Sequence, residues 1–362
     1  MTAASAASAA SAASGPALGT LEELPADYRA AMAERNLVPL WPSMRALLPH
    51  GAPRPRTLPT LWRYAEVRPL LLRAGELTPI EKAERRVLVF ANPGHGLDGL
   101  HTTGTIYAGM QLILPGETAP NHRHTPSAVR LVVEGEGGFT AVNGEHLPMA
   151  PGDLILTPAL QWHEHGHRGR DPVIWLDILD LPLLVGMEAS YAREGEPQAV
   201  RNAPDAAATR YRRAGVVPYA SLAAPRPAYP LLRWPWAEIR PALEALAADT
   251  PAGTPVHLAY VNPETGGECL PTLGFSALML RPGESLALPR DSASALYHIV
   301  AGEADAEIGE ITLAASRADV FAAPAHARVG LANRSARAPL FLFRIDDAPL
   351  QRKIGVYERF PA

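Results

Sequence analysis

Two histidines one residue apart, His122 and His124 in the run NHRH, are the strongest chemical signal in this 362-residue chain. Alternate side chains of a β-strand share a face, so both imidazoles project to the same side as adjacent ligands. A third histidine, His163, follows a PGD-x4-P-x3-W-H segment in a later predicted strand, and His165 shares its parity. An HxH pair on its own is more often two surface histidines than a site. The third histidine in its strand context shifts the reading to a metal centre. Three neutral imidazoles leave coordination positions open, as a catalytic metal requires. Such ligands suit iron, zinc, copper or nickel alike.

The neighbours of these histidines narrow the chemistry. If the strand resumes in register after Pro126, Arg130 lies on the inward face, with Val129, Leu131 and Val133 opposite. Tyr107, Gly109 and Gln111 share one face of the preceding strand. Polar side chains aimed into a barrel are costly unless they find partners. A pocket that holds a ligand would provide them. Arg130, with Gln111 and Arg86 nearby, suits a small anionic substrate, because guanidinium pairs bidentately with carboxylate. His95, His101 and His167 lie in Gly-rich or charged loop contexts and read as ordinary.

Short alternating apolar runs position these residues: 105–114, 128–134, 137–142, 153–158 and 173–178. They read as strands, and Asn143-Gly144 is a strong hairpin signal. Many short strands within about a hundred residues favour a barrel or sandwich over a βαβ sheet. Upstream, 21–36 is helix-friendly, and a second helical stretch starts at Thr78 as N-cap with Pro79 at the first helical position. A Pro-rich arm, 41–59, separates them, and such an arm is expected to pack against another subunit or domain. A further helix is expected over 236–247.

The layout of the first strand set recurs downstream. Pro115-Gly116-Glu117 aligns with Pro282-Gly283-Glu284, Gly135 with Gly302, Asp153 with Asp319 and Pro158 with Pro324. The chain reads as an internal duplication. The three ligand positions of the second copy carry Pro289, Asp291 and Val329, so only the first barrel is expected to hold metal. His298 and His326 remain but fall on no ligand position.

Bulk properties exclude several classes. Lys+Arg number 33 against Asp+Glu 37, a formal charge of −4, and no basic stripe with interleaved aromatics appears, so nucleic acid is not an expected partner. No apolar run approaches the ~20 residues that span a bilayer. The lone Cys269 cannot pair within the chain and reads as a small buried hydrophobe. The Ala-Ala-Ser repeats at the N-terminus match neither a secretory signal nor a transit peptide and read as a disordered tail. A cytoplasmic address is the expectation.

The segments AERRVLVFANPG, TIYAGMQLILPGETAPNHRHTPSAVRLVVEGEGG and PGDLILTPALQWHEHG resemble the bicupin ring-cleaving dioxygenases that act on gentisate, salicylate and 1-hydroxy-2-naphthoate. The likeness runs from about Trp41 to Arg359. In the broader cupin pattern a glutamate ligand follows the HxH pair, whereas here the stretch reads TPSAVR, as in the three-histidine subfamily.

The resemblance implies a mainly β fold of two tandem double-stranded β-helix (jelly-roll) barrels behind an N-terminal helical arm. The expected divisions are a tail over 1–20, the arm over 21–85, a metal-binding barrel over 86–191, a linker over 192–213 and a ligand-free second barrel over 214–362. It further implies Fe(II) on His122, His124 and His163, one ion per chain, and a homo-oligomer, often a tetramer. Dioxygen would enter a hydroxylated aromatic carboxylate between the carboxyl and hydroxyl carbons, giving maleylpyruvate if the substrate is gentisate. Arg86, Arg130, Gln111 and Tyr107 would bind the substrate, Tyr107 standing where tryptophan is frequent. His165 would act as acid, base or hydrogen-bond donor, and Asp177 would orient a histidine. Without the resemblance, Asp177 reads as a strand-end turn residue and Arg86 as a surface cation. Two rivals of another class are an isomerase or hydrolase with a Lewis-acid metal, which would want a carboxylate beside the HxH pair, and a non-catalytic bicupin.

Overall fold

The computed structural model describes residues 17–198 and 205–361. Most of the expected tail and the middle of the expected linker lie outside the described residues. The chain divides into two compact units, Met1–Arg54 and Pro55–Ala362. In the first, helix Ala26–Ala33 begins directly after Pro25, whose extended backbone delays the start relative to the expected 21–36. A single short turn of helix, Met44–Leu47, follows.

The second unit contains both barrels, each made of two antiparallel sheets. In the first barrel one sheet has the order Arg233–Trp234, Leu154–Thr157, Ala128–Glu134, Val173–Leu179, Tyr107–Ile113, Arg86–Val89. The other runs Ala192–Glu194, Thr118–His124, His163–His167, Gly138–Val142, Glu145–Pro148. The second barrel repeats the plan. Thr60–Trp62, Val320–Ala323, Ala295–Ala301, Leu340–Asp346, Gly274–Leu280 and Val256–Ala259 form one sheet. Ser285–Ala287, Val329–Asn333, Glu303–Ile308 and Ile311–Ser316 form the other. Every pairing is antiparallel, and the aligned glycines Gly135 and Gly302 both take a left-handed φ, of 91° and 98°. The duplication is therefore a property of the fold.

The two barrels exchange their leading strands. Thr60–Trp62, which precedes the first barrel in sequence, pairs with Val320–Ala323 of the second. Arg233–Trp234, which precedes the second barrel, pairs with Leu154–Thr157 of the first. After each exchanged strand comes a 14-residue helix, Tyr64–Leu77 and Trp236–Asp249, opening YAEVRP in one case and WAEIRP in the other. The aligned aspartates cap these helices crosswise. Asp319 accepts from the Tyr64 amide at 2.7 Å, and Asp153 from the Trp236 amide at 2.9 Å.

A second reciprocal pair closes the seam. Asp180 accepts from the Ser127 amide and from the Thr272 hydroxyl of the other barrel. Asp347 accepts from the Ser294 amide and from the Thr105 hydroxyl. One apolar cluster, including Trp175, Leu243 and Phe341, joins the two barrels, and a second, including Leu278, Ile299 and Phe321, lies within the second barrel.

Helix Trp236–Asp249 covers the expected 236–247. The helix over 64–77 was not expected, and Thr78 is its C-cap rather than an N-cap. The following proline forces Thr78 into extended backbone, so only the short helix Ile80–Ala83 forms beyond it. Within the span read as a linker, Ala192–Glu194 adds an edge strand to the first barrel. Its three residues are exposed, so no apolar alternation marks it.

Candidate metal centre and substrate pocket

The ladder registers decide which side chains enter the first barrel, because residues directly opposite on antiparallel neighbours point to the same side. His122 lies opposite His163. On the other sheet Gly109 faces Asp177, which faces Arg130, and Gln111 faces Trp175. Tyr107 shares the parity of Gly109 and Gln111. These residues therefore line one interior.

His122, His124 and His163 each offer a ring nitrogen, all within 4.8 Å of one another. Their tautomers follow from their partners. The Nδ1 of His122 lies 2.9 Å from the Pro120 carbonyl, that of His124 2.7 Å from Pro126 and that of His163 2.9 Å from Gln161. A carbonyl only accepts, so each Nδ1 carries the proton and each Nε2 keeps its lone pair. Burial is the main cause that lowers the pKa of His122 to about 3 and of His124 to about 4; nearby arginines lower both further. His163 is also pushed well below its ordinary value, again chiefly by burial. All three stay neutral near pH 7, the form in which imidazole ligates metal. The buried Nε2 of His163 has no protein partner. These features fit a bound metal ion.

Around this centre the interior is rich in unmet polar atoms. Gln111 Oε1, Arg130 Nε, His165 Nε2, Trp175 Nε1 and Asp177 Oδ1 are buried without a hydrogen bond. Buried polar atoms normally find partners, so a cluster of this kind marks a ligand pocket. Arg130 is 1% exposed, donates to Thr157 Oγ1 at 2.6 Å and has Nε 3.5 Å from Asp177 Oδ1. Burial raises the Asp177 carboxyl, against the pull of Arg130 and Arg85. The His165 ring is held by Thr140 Oγ1 at 2.9 Å from Nδ1 and lies 5.7 Å from the His163 ring. Burial raises the Tyr107 phenol well above its ordinary value, with the Asp177 carboxylate adding to the rise.

Two expected placements are corrected. Arg86 does not reach the pocket: it lies opposite Leu112, on the outer face of its sheet, where it pairs with Glu117 and donates to the Gly75 carbonyl. Gly75 sits so close that an added Cβ would meet Leu112 Cδ2 at 2.9 Å. The guanidinium that joins Arg130 in the pocket is that of Arg85, one residue earlier and of opposite parity, which donates to His122 Nε2. Asp177 is a buried strand residue set against Arg130, its neighbour in the ladder, rather than against an imidazole. Sequence reasoning also passed over Trp175, although its spacing from Asp177 places the two on one face.

Comparisons with known proteins place the fold in a family. A model described as a cupin domain matches residues 109–179. A gentisate 1,2-dioxygenase from a Ralstonia species is 55% identical over 94% of this chain and 96% of its own length. A 5-aminosalicylate 1,2-dioxygenase from a Comamonas species is 37% identical over 90% and 87%. The crystal structure of salicylate 1,2-dioxygenase from Pseudoaminobacter salicylatoxidans as its gentisate adduct superposes with a TM-score of 0.85 at 30% identity, covering 93% of this chain and 94% of that one. With two jelly-roll barrels, a three-histidine cluster in the first and these relatives along nearly its whole length, the chain belongs to the bicupin family of gentisate and salicylate 1,2-dioxygenases, ring-cleaving oxidoreductases.

Proposed function

We propose that this chain opens the ring of gentisate to give maleylpyruvate, using one Fe(II) on His122, His124 and His163. The observation that carries the reading is the convergence of three Nε2 lone pairs on a pocket that also holds Arg85 and Arg130. Gentisate is favoured by the 55% identity to the Ralstonia enzyme. The 5-aminosalicylate and salicylate enzymes support a second reading, the same cleavage of salicylate, and the 36% identity to a 1-hydroxy-2-naphthoate dioxygenase from a Nocardioides species supports it for 1-hydroxy-2-naphthoate. Both oxygen atoms of O2 enter the product, between the carboxyl-bearing and the hydroxyl-bearing carbon.

Bound iron would supply a docking point for adjacent carboxylate and hydroxyl oxygens and an electron route to dioxygen. The protein's own part is positioning and electrostatics. Arg85 cannot share the His122 lone pair with a metal, so on loading its guanidinium is freed toward the substrate carboxylate. Arg130, braced by Thr157 and Asp177, offers a fixed positive charge, and the Gln111 amide faces the same interior. His165, pinned through Thr140, presents Nε2 as the hydrogen-bonding or proton-carrying group. Tyr107 contributes a neutral phenol to the wall.

The enzyme is further proposed to work as a homo-oligomer, a tetramer by resemblance to the family, in the cytoplasm. The exposed Val38, Leu47 and Leu48 of the N-terminal unit support subunit contacts. No helix among the described residues is long and apolar enough to cross a membrane.

The test is oxygen uptake by anaerobically iron-loaded protein given gentisate, salicylate or 1-hydroxy-2-naphthoate, with the ring-opened product followed by absorbance. Uptake with gentisate, abolished by His122→Ala, is the expected result. Uptake with none of the three acids, despite bound iron, would overturn the assignment.

A further inference from the structure

The second barrel lacks the three histidines, and although an apolar cluster including Leu278, Ile299, Phe321 and Leu342 fills part of its interior, polar side chains remain beside it. Its ladders place Ser276 opposite Arg344 and Arg344 opposite Tyr297, at the positions held in the first barrel by Gly109, Asp177 and Arg130. His257, two residues before the partner of Ser276, faces the same interior. A barrel kept only as a scaffold would gain by closing over aliphatic side chains throughout, because a buried polar atom without a partner is destabilising.

Three such atoms occur here. Ser276 Oγ, His257 Nε2 and Arg344 Nε are buried and have no hydrogen-bond partner. All three residues line one cavity of about 420 Å³, and a smaller one of about 140 Å³ shares His257, Asp291, Arg344 and Tyr357 with it. Such a volume accommodates a small organic molecule. Ser276 is 7% exposed. Arg344 is fixed from both ends, Nη1 lying 2.8 Å from Asp346 and Nη2 3.3 Å from Asp291, which leaves Nε for a further acceptor. Across the two cavities Arg344, Arg352 and Arg359 balance Glu268, Asp291 and Asp346, so a single negative charge meets no net repulsion. Tyr357, half-buried, adds an aromatic residue to the lining of both cavities.

We propose that the second barrel is a binding site for a small aromatic acid, whose acceptor oxygens take Ser276 Oγ, His257 Nε2 and Arg344 Nε while its ring lies beside Tyr357. The inference stands on the second barrel alone and does not depend on which acid the first barrel cleaves.

The probe is 4-fluorobenzoate, a carboxylate without the adjacent hydroxyl, titrated under nitrogen into the iron-loaded enzyme and followed by fluorine NMR. Saturable binding is expected, weakened tenfold or more by Ser276→Ala and by His257→Phe and unchanged by Arg85→Ala in the first barrel. Far-ultraviolet circular dichroism and retained ring cleavage verify that the second-barrel variants are folded. Binding that is lost in Arg85→Ala but intact in both second-barrel variants would overturn the proposal. So would the absence of saturable binding up to about 10 mM, where the binding free energy is only a few kcal/mol.

Discussion

The two barrels share a plan and differ in what they keep inside it. In both, an aspartate caps the helix that leads into the other barrel, and a second aspartate ties to a threonine across the seam. These contacts survive in duplicate because each supports the whole unit. The interior is where the copies part. The first holds His122, His124 and His163 around Arg85, Arg130 and Gln111; the second has Pro289 and Asp291 where the HxH pair would stand, and Tyr297 and Arg344 where Arg130 and Asp177 stand. The copies share the frame and differ in the interior, so a substitution's effect depends on which of the two it touches.

The largest contrast is expected between neighbouring arginines. Arg85→Ala should lower kcat/KM by about 100-fold or more, the scale of a lost charge-assisted contact to substrate. Arg86→Ala should leave kcat/KM nearly unchanged and instead lower stability by about 1–3 kcal/mol, since it strands Glu117. Steady-state kinetics and urea unfolding of both variants check this, and a reversed pattern would break the assignment of faces.

Next in size is the response of metal-free protein to acid. His122 and His124 have folded pKa values of about 3 and 4, below the ordinary value they regain on unfolding. The unfolded chain thus binds more protons as pH falls below about 6.5, and stability must decline from pH 7 to pH 5. Each histidine should contribute about 1 kcal/mol or more over that window. His257 and His298 of the second barrel, about 4 and 3, act in the same sense, so the first barrel's larger set should dominate. Urea midpoints at the two pH values, with and without His124→Gln, measure the share; the variant should show the shallower decline.

The smallest effect concerns the frame. Thr272→Val removes the hydroxyl that donates to Asp180 Oδ2 and should cost about 1–1.5 kcal/mol, whereas Thr105→Val should cost about 0.5 kcal/mol, because Ser294 Oγ still donates to Asp347 Oδ2; the two losses should add. Calorimetric unfolding of the single and double variants reads the sum. Equal losses would show that Ser294 does not back up the Asp347 latch.

The barrel strands were legible because period-two alternation and turn residues survive in each copy, and the metal cluster because HxH on a strand fixes a shared face. Arg85 and Arg86 were confused because the face of adjacent arginines depends on where the strand Arg86–Val89 starts its pairing with Tyr107–Ile113, which no local pattern states. The exchanged strands Thr60–Trp62 and Arg233–Trp234 are too short to show a period, and their partners are far away in sequence. The helix over 64–77 is interrupted by Pro69, which hid a repeat that its counterpart with Pro241 makes evident. The polar interior of the second barrel was invisible for a related reason: Ser276, Arg344 and Tyr297 come together only through the ladders.

The central claim, that the first barrel alone carries the metal, is tested most directly by iron analysis of the anaerobically loaded chain and of His163→Ala. One Fe(II) per chain in the parent and essentially none in the variant is the predicted result. Two equivalents per chain, or an equivalent retained after loss of His163, would contradict it.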